Sequence, residues 1–399
     1  MTSTHWVLAA LLCGGFLLYT YVGYPVVLYI LAKTSGSAVK KSNRYRPLVT
    51  VIIPAHNEEA VIGAKVQNAL ESDYPAEKLD VIVVSDASTD GTEEVAAEAG
   101  GDRVRVLRTP GRTGKLGALQ YAVSKAKAEV LVITDANVLW QPSAVGRLVD
   151  CLHDQQVALA TGSVRFVGTG AAVEQGMGLY ERLEERLKTW ESLLWSVHGA
   201  DGGLYAVRRS VWPAIPPTVP NDDQVIAAQI LRAGWRVVFC PDARSVEDGP
   251  VSLWDELGRR VGYTSGAMRA LFRGYIHPRW TDLRSWFIFL SHKICRWLAP
   301  FALVGLLVAL AGLVGNVWVV IVPLGAAVLV TAMHSRGPEG GSRLARWAAF
   351  PGHVLLEHLA VLVGLLASVV GVRNVIWKPP KRRLISPENA DVELHASKS

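Results

Sequence analysis

The chain has 399 residues, 50% of them hydrophobic, with a formal net charge of +6 and four cysteines. Its mean hydropathy is +0.24 and its pI about 9.1. Such a length holds a sizeable domain and more. The basic residues gather beside apolar blocks: Lys33, Lys40, Lys41, Arg44 and Arg46 after the first, Arg373, Lys378, Lys381, Arg382 and Arg383 after the last. That is juxtamembrane charge, not a nucleic-acid stripe, and nucleic acid is excluded as a partner. Cys13, Cys151, Cys240 and Cys295 form no CxxC pair, which speaks against a zinc site or a disulfide framework and for a reducing compartment.

Residues 6–32 form an apolar run longer than the ~20 residues that cross a bilayer and longer than a secretory signal core. It reads as a retained anchor with its N-terminus outside and the charged segment 33–46 in the cytosol. Residues 48–54 (LVTVIIP) are expected as a first strand, followed by AHNEE and a helical pattern from 58 to about 72. Residues 79–85 are a second strand, closed by SDASTDGT, with a helix from 92. A third strand, 104–107, leads through PGRTGK into a helix over 116–128, and 130–134 is a fourth strand closed by TDAN. Strands alternating with helices at this spacing imply an α/β fold, half-Rossmann-like, with a mostly parallel sheet covered on both faces. No GxGxxG follows the first strand, so a dinucleotide cofactor is not expected.

The second half is more mixed. A strand over 157–165, a long helix over 172–197, a glycine-rich turn GADGGLYAVRR into a strand, a helix beginning at NDDQ, a strand VVFCPDA and a helix over 253–270 follow in order. Residues 279–298 carry Leu283, Phe287, Leu290, Ile294 and Trp297 at spacings of three and four, with Trp280 and Trp286 nearby. This pattern predicts an amphipathic helix on a membrane surface, or one packed on the preceding domain. Block 298–333, broken at Gly312 and Gly315, fits two joined spans. Residues 352–371 are a further candidate that carries Glu357 and His358, and the basic triplet Lys381–Arg383 argues that the C-terminus lies inside. The tail after Pro379 is expected to be disordered.

Three acids stand out: Asp86, Asp135 and Asp223. The first two close apolar strands, where α/β sheets bind ligands. The third opens a helix, next to Asp222. Adjacent carboxylates raise one another's proton affinity, which suits a base near neutral pH, although both also suit a helix N-terminus. Asp86, Ser88 and Asp90 equally suit a capped turn. Lys115, opening a helix after Gly114, is placed to meet phosphate. Gly202 and Gly203 allow close backbone approach by an acceptor.

Together PAHNEE, SDASTDGT, GKLGAL, TDAN, GADGGLYAVRR and the NDDQ-to-PDA stretch resemble the membrane-bound family 2 glycosyltransferases of GT-A fold, from about residue 49 to 269. The resemblance implies a mixed sheet with helices on both faces, flanked by transmembrane helices, and an inverting enzyme with a nucleotide-sugar donor, UDP-linked in the first instance. The acceptor is a polysaccharide or a lipid-linked sugar. It divides the chain into an anchor (1–32), a cytoplasmic catalytic domain (33–278), an interfacial helix (279–298), a C-terminal membrane region (299–371) and a basic tail (372–399). Membrane lipid is then a partner, and any partner subunit is unknown. Carried over residue by residue, Ala55, Asn57, Glu58, Asp86, Lys115 and Asp135 bind the nucleotide. Asp135 and Asn137 hold Mg²⁺ or Mn²⁺, Asn137 standing where the family's DxD motif has its second acid. Asp223 is the base, tuned by Asp222, and Gly202, Gly203, Arg259, Arg260 and Tyr263 face acceptor or diphosphate. RRVGY at 259–263 departs from the QxxRW of processive members, which puts polymer synthesis in doubt. A sugar nucleotidyltransferase and a non-catalytic membrane subunit are the rival readings.

Overall fold

The computed structural model describes residues 2–167, 171–249, 253–322, 325–326 and 343–369. The chain begins with α1 (Ser3–Leu18) and α2 (Tyr24–Ser35), joined through a π turn at Tyr19–Gly23 into one apolar helix of 33 residues. There follow β1 (Val49–Ala55), α3 (Glu59–Leu70), β2 (Leu79–Ser85), α4 (Thr92–Gly100), β3 (Val104–Arg108), α5 (Gly114–Lys125) and β4 (Val130–Ile133). The mixed half comprises β5 (Val138–Trp140), α6 (Ala144–Cys151), β6 (Val157–Val167), α7 (Ala171–Leu194), β7 (Tyr205–Arg208), α8 (Asp222–Arg232), β8 (Arg236–Asp248) and α9 (Leu253–Phe272). Last come α10 (Leu283–Ile288), a π turn at Phe289–Ile294, α11 (Cys295–Val314) and α12 (Arg343–Val369).

The eight strands among the described residues form one sheet in the order β3-β2-β1-β4-β7-β6-β8-β5. The β3-β2-β1-β4 half is parallel, as its βαβ sequence pattern dictates. In the other half β7 runs antiparallel to both β4 and β6, and β5 runs antiparallel to β8. The period of two along a strand splits the apolar side chains between two cores. Ile52, Ile82, Val84, Leu131 and Ile133 pack beneath α5 and α8. Val51, Ile53, Val81, Val83 and Val132 pack against residues of α3, α4 and α6. Each such fully buried side chain contributes about 1.5–3 kcal/mol. The long runs read from sequence as strands and helices are present; the three-residue β5 is an addition, too short to give a periodic signal of its own.

Among the described residues, two helices have the length and composition to cross a membrane: Ser3–Ser35 and Leu283–Val314. Gly305 and Gly312 let them approach closely, since an added Cβ would strike Cys13 at the first and Trp6 at the second. Gly315, at φ 68°, ends α11 in the left-handed conformation that glycine tolerates. Residues 279–298 contain no separate surface helix: α10, the π turn and α11 run on as one rod. Its polar side, with Ser285, Ser291 and His292, is buried, while Leu283, Leu290 and Leu298 face outward. The buried side meets α7, where Glu184 bonds His292 and Arg296, and Glu191 bonds His292 and Tyr24 of α2. That network couples the sheet domain to both apolar helices. The second half of block 298–333 and the tail lie largely outside the described residues. Residues 352–371 fall within α12 up to Val369.

Candidate active site

Parallel β1, β2 and β4 end on one edge of the sheet, which places Ala55, Asp86 and Asp135 side by side there. The β1 and β2 loops are stitched to each other. Asn57, at φ 56°, accepts from the Thr89 amide at 2.8 Å and donates its own amide to Ser88 Oγ at 3.1 Å. The amide of Glu58, at the start of α3, donates to Thr92 Oγ1 at 2.9 Å.

Asp86 is 2% exposed. Its carboxylate accepts from the Thr113 amide (2.7 Å), Thr113 Oγ1 (2.8 Å), the Gly114 amide (2.8 Å), Arg112 Nη1 (2.9 Å) and Thr109 Oγ1 (3.2 Å). Those donors saturate the about four lone-pair positions of a carboxylate. Burial works against its charge, but the Thr113 and Gly114 bonds and Arg112 outweigh burial and hold its pKa below the usual range. Asp86 thus builds the loop that launches α5. Expected from the sequence to meet the nucleotide, Asp86 is bonded here within its own loop, beside the half-exposed Arg112. PGRTGK contained that signal, carried by an arginine two residues after a proline turn.

Lys115, on the first turn of α5, lies 2.7 Å from Asp135 Oδ1 and 3.6 Å from Asp222 Oδ2. Burial disfavours its charge, but Asp135, then Asp222 and Asp223, outweigh that and raise its pKa well above normal. A Cβ on Gly202 would come within 3.3 Å of Asp223 Oδ2 and 3.4 Å of Lys115 Nζ, so Gly202 borders both groups. Gly203 differs: its Cβ would press on Val138 (3.0 Å) and Val164 (3.1 Å). Core packing accounts for that glycine, without an acceptor.

At the start of α8, Asp223 Oδ1 accepts from the Gln224 amide at 2.8 Å. Burial, then the charge of Asp222, push its pKa up to about 7. Asp222 is itself raised, by burial first. Tyr205, fully buried and under the field of Asp222, Lys115, Asp223 and Asp135, has a hydroxyl without a partner among the described residues. Asn137 Nδ2 donates to Glu247 Oε1 of β8 at 3.1 Å. Burial, then Asp135, push Glu247 up to about 7. Neither Glu247 nor Asp201, whose pKa burial also raises, was singled out from the sequence: Glu247 lies outside the quoted motifs, and in GADGGLYAVRR the glycines drew the attention instead of Asp201.

Among the described residues, no three His, Cys, Asp or Glu side chains form a ready metal cage. The donor chemistry nonetheless fits a hard divalent cation. Asp135, Asn137 and Glu247 offer oxygens, and carboxylates outnumber cations around Lys115. A cation held by one or two carboxylates and completed by phosphate oxygens needs no more.

The α9 residues divide. Arg259 makes two bonds of 2.9 Å to Glu256 and stacks 4.8 Å over Phe166, within electrostatic reach of Asp201 and Glu247. Arg260 is turned away, bonded to Glu256 and to Glu357 of α12. Expected at a diphosphate, Arg260 forms here a brace between helices, linking buried Glu256 to half-buried Glu357. Tyr263 is partly exposed, and its carbonyl accepts from Asn221 Nδ2 just before α8.

The sequence model of "Glycosyl transferase family 2" matches residues 50–213. That of "Glycosyl transferase family group 2" matches 132–333, just over half of the chain. Among similar proteins, the probable glycosyltransferase YdaM of Bacillus subtilis (strain 168) is 25% identical over 218 residues, 51% of each chain. Glycosyltransferase AglD of Haloferax volcanii is 28% identical over 243 residues, 58% of this chain and 38% of that one. The chain thus spans about half or less of these curated relatives. Among solved structures, mannosyltransferase PcManGT from Pyrobaculum calidifontis, in complex with GDP-Man and Mn²⁺, superposes with a TM-score of 0.70 at 24% identity, over 92% of this chain and 99% of that one. That likeness establishes a shared GT-A-like fold. With its sheet, its six ordered motifs and its match to the group model, the chain belongs to the family 2 glycosyltransferases.

Proposed function

We propose that the protein transfers a sugar from a nucleoside diphosphate sugar to an acceptor hydroxyl with inversion at the anomeric carbon. The observation that carries this is Asp223: a carboxylate with pKa about 7, beside Gly202 and across from Lys115. An acceptor hydroxyl lying against Gly202 gives its proton to Asp223. Its oxygen bonds to the anomeric carbon as the bond from that carbon to the diphosphate oxygen breaks. Attack opposite the leaving group inverts the centre. A base tuned near the working pH contributes typically 10²–10⁴ in rate. Lys115, kept charged by its acidic neighbours, meets the negative charge that develops on the diphosphate. Mg²⁺ or Mn²⁺ held at Asp135 would neutralise the same leaving group. The loops ordered by Asp86 and Asn57 hold the nucleotide, UDP in the first instance.

Lys33, Lys40, Lys41, Arg44 and Arg46 follow the first apolar helix and support a reading with the catalytic domain on the cytoplasmic face, held to the membrane by the apolar helices. The α7 network, which ties that domain to both helices, supports an acceptor taken at the membrane surface, a lipid-linked sugar or a growing glycan. The test is a donor screen on the full chain in lipid, reading nucleoside diphosphate release. Turnover of one sugar nucleotide with nucleoside diphosphate as product supports the reading. Release of pyrophosphate would show a nucleotidyltransferase, and nucleotide binding without turnover a non-catalytic subunit.

A further inference from the structure

The segment after β4 lacks an acid where a second carboxylate would complete a cation site: Asp135 is followed by Ala136 and Asn137. The sheet supplies one from elsewhere. β5 pairs antiparallel with β8, and the register sets Val138 opposite Glu247. This brings Glu247 against Asn137, whose Nδ2 donates to Glu247 Oε1 at 3.1 Å. The amide therefore spends its donor on holding a carboxylate. No ion pair offsets that carboxylate among the described residues. The cation within its reach, Arg259, is already bound through two nitrogens to Glu256. The fully buried Tyr205 hydroxyl, under the fields of Asp222, Lys115, Asp223 and, least, Asp135, also has no hydrogen-bond partner among the described residues.

We propose that Glu247, positioned by Asn137, supplies with Asp135 the second carboxylate of the divalent-cation site, so that the acid missing from the loop comes from β8. Asn137 is then a positioning residue and Glu247 the ligand, with nucleotide phosphates completing the shell. The inference rests on the functional reading above, yet it is tested separately from it. Full chain in lipid nanodiscs is titrated with Mn²⁺, free Mn²⁺ being read by electron paramagnetic resonance, first alone and then with UDP or GDP.

Glu247→Gln weakens Mn²⁺ binding at the upper end of the 10–100-fold range that even supporting groups of a metal site command, and Asn137→Ala weakens it about tenfold. Metal-free nucleotide binding stays unchanged in both. Placing Asn137→Asp in the Glu247→Gln background restores Mn²⁺ binding, which separates a lost ligand from a lost fold. Wild-type Mn²⁺ affinity in Glu247→Gln, with Asp135→Asn deficient, overturns the assignment. So does failure of the double variant to recover with an unaltered melting profile. If neither UDP nor GDP binds the wild type, the functional reading falls, while the Glu247 assignment is still decided by Mn²⁺ alone.

Discussion

Asp86, buried at the edge of the sheet, and Asp223, half-buried at the start of α8, are acids of one site, and they are opposites. Asp86 is surrounded by donors, and its proton affinity is lowered. Asp223 accepts one amide, stands beside another acid, and has its proton affinity raised to about 7. The first is a fully satisfied group that fixes a loop. The second is left short of partners, and that shortage makes it reactive. Proteins place perturbed groups where chemistry occurs. A low, satisfied pKa therefore marks the scaffold of this site, and a raised, unsatisfied one marks its working end.

The largest expected effect breaks the working end. Asp223→Asn keeps the shape and cannot take a proton, so transfer rate falls by about 10²–10⁴ while nucleotide affinity holds. Asp222→Asn is milder, since it removes a neighbouring charge only. Rates and UDP affinity measured in one lipid preparation check both, and an inactive Asp222→Asn beside an active Asp223→Asn would reverse their roles.

Breaking the scaffold instead gives a different signature. Asp86→Ala strands the Thr113 and Gly114 amides and Arg112, and bonds to a charged group are worth about 1.5–3 kcal/mol each. The melting temperature and nucleotide affinity fall together. A loss of rate alone, with both of those unchanged, would contradict the role assigned to Asp86.

The two acids also differ in sign against pH. Asp223 ionises near 4 when unfolded and at about 7 when folded, so its contribution to stability declines as pH rises from about 4 to about 7. Asp86, lowered in the fold, contributes above its unfolded value and loses that contribution as pH falls through the folded one. Transfer rate should climb with pH through about 7 and level off, a limb that Asp223→Asn abolishes. A rate independent of pH over about two units on either side of that value would remove Asp223 as the base.

The smallest effect separates the arginines of α9. Arg260→Ala unties Glu256 from Glu357 and lowers the melting temperature while leaving the donor KM in place. Arg259→Ala, nearer the acids, raises that KM. Equal KM changes in both would put Arg260 at the diphosphate after all.

Much of this was legible in the chain itself. The apolar β-branched runs at 49–55, 79–85 and 130–133 have no stable place other than a covered sheet, and acids directly after them fall at its edge. The adjacent pair Asp222–Asp223 announces a raised proton affinity through its covalent spacing alone. The 33-residue apolar stretch at the N-terminus likewise fixes a helix by composition.

What sequence did not disclose depends on partners distant along the chain. Asp86 saturates itself on residues 109–114, a fact set by how β2 and α5 meet. Arg260 faces Glu357 from 97 residues away. Glu247 reaches Asn137 across a register that three residues of β5 decide. Periodicity and local charge follow from covalent order, so the sequence determines them. Which of several similar acids is satisfied and which is left in want of a partner depends on burial and on neighbours that only folding brings together, and the tertiary structure alone settles it.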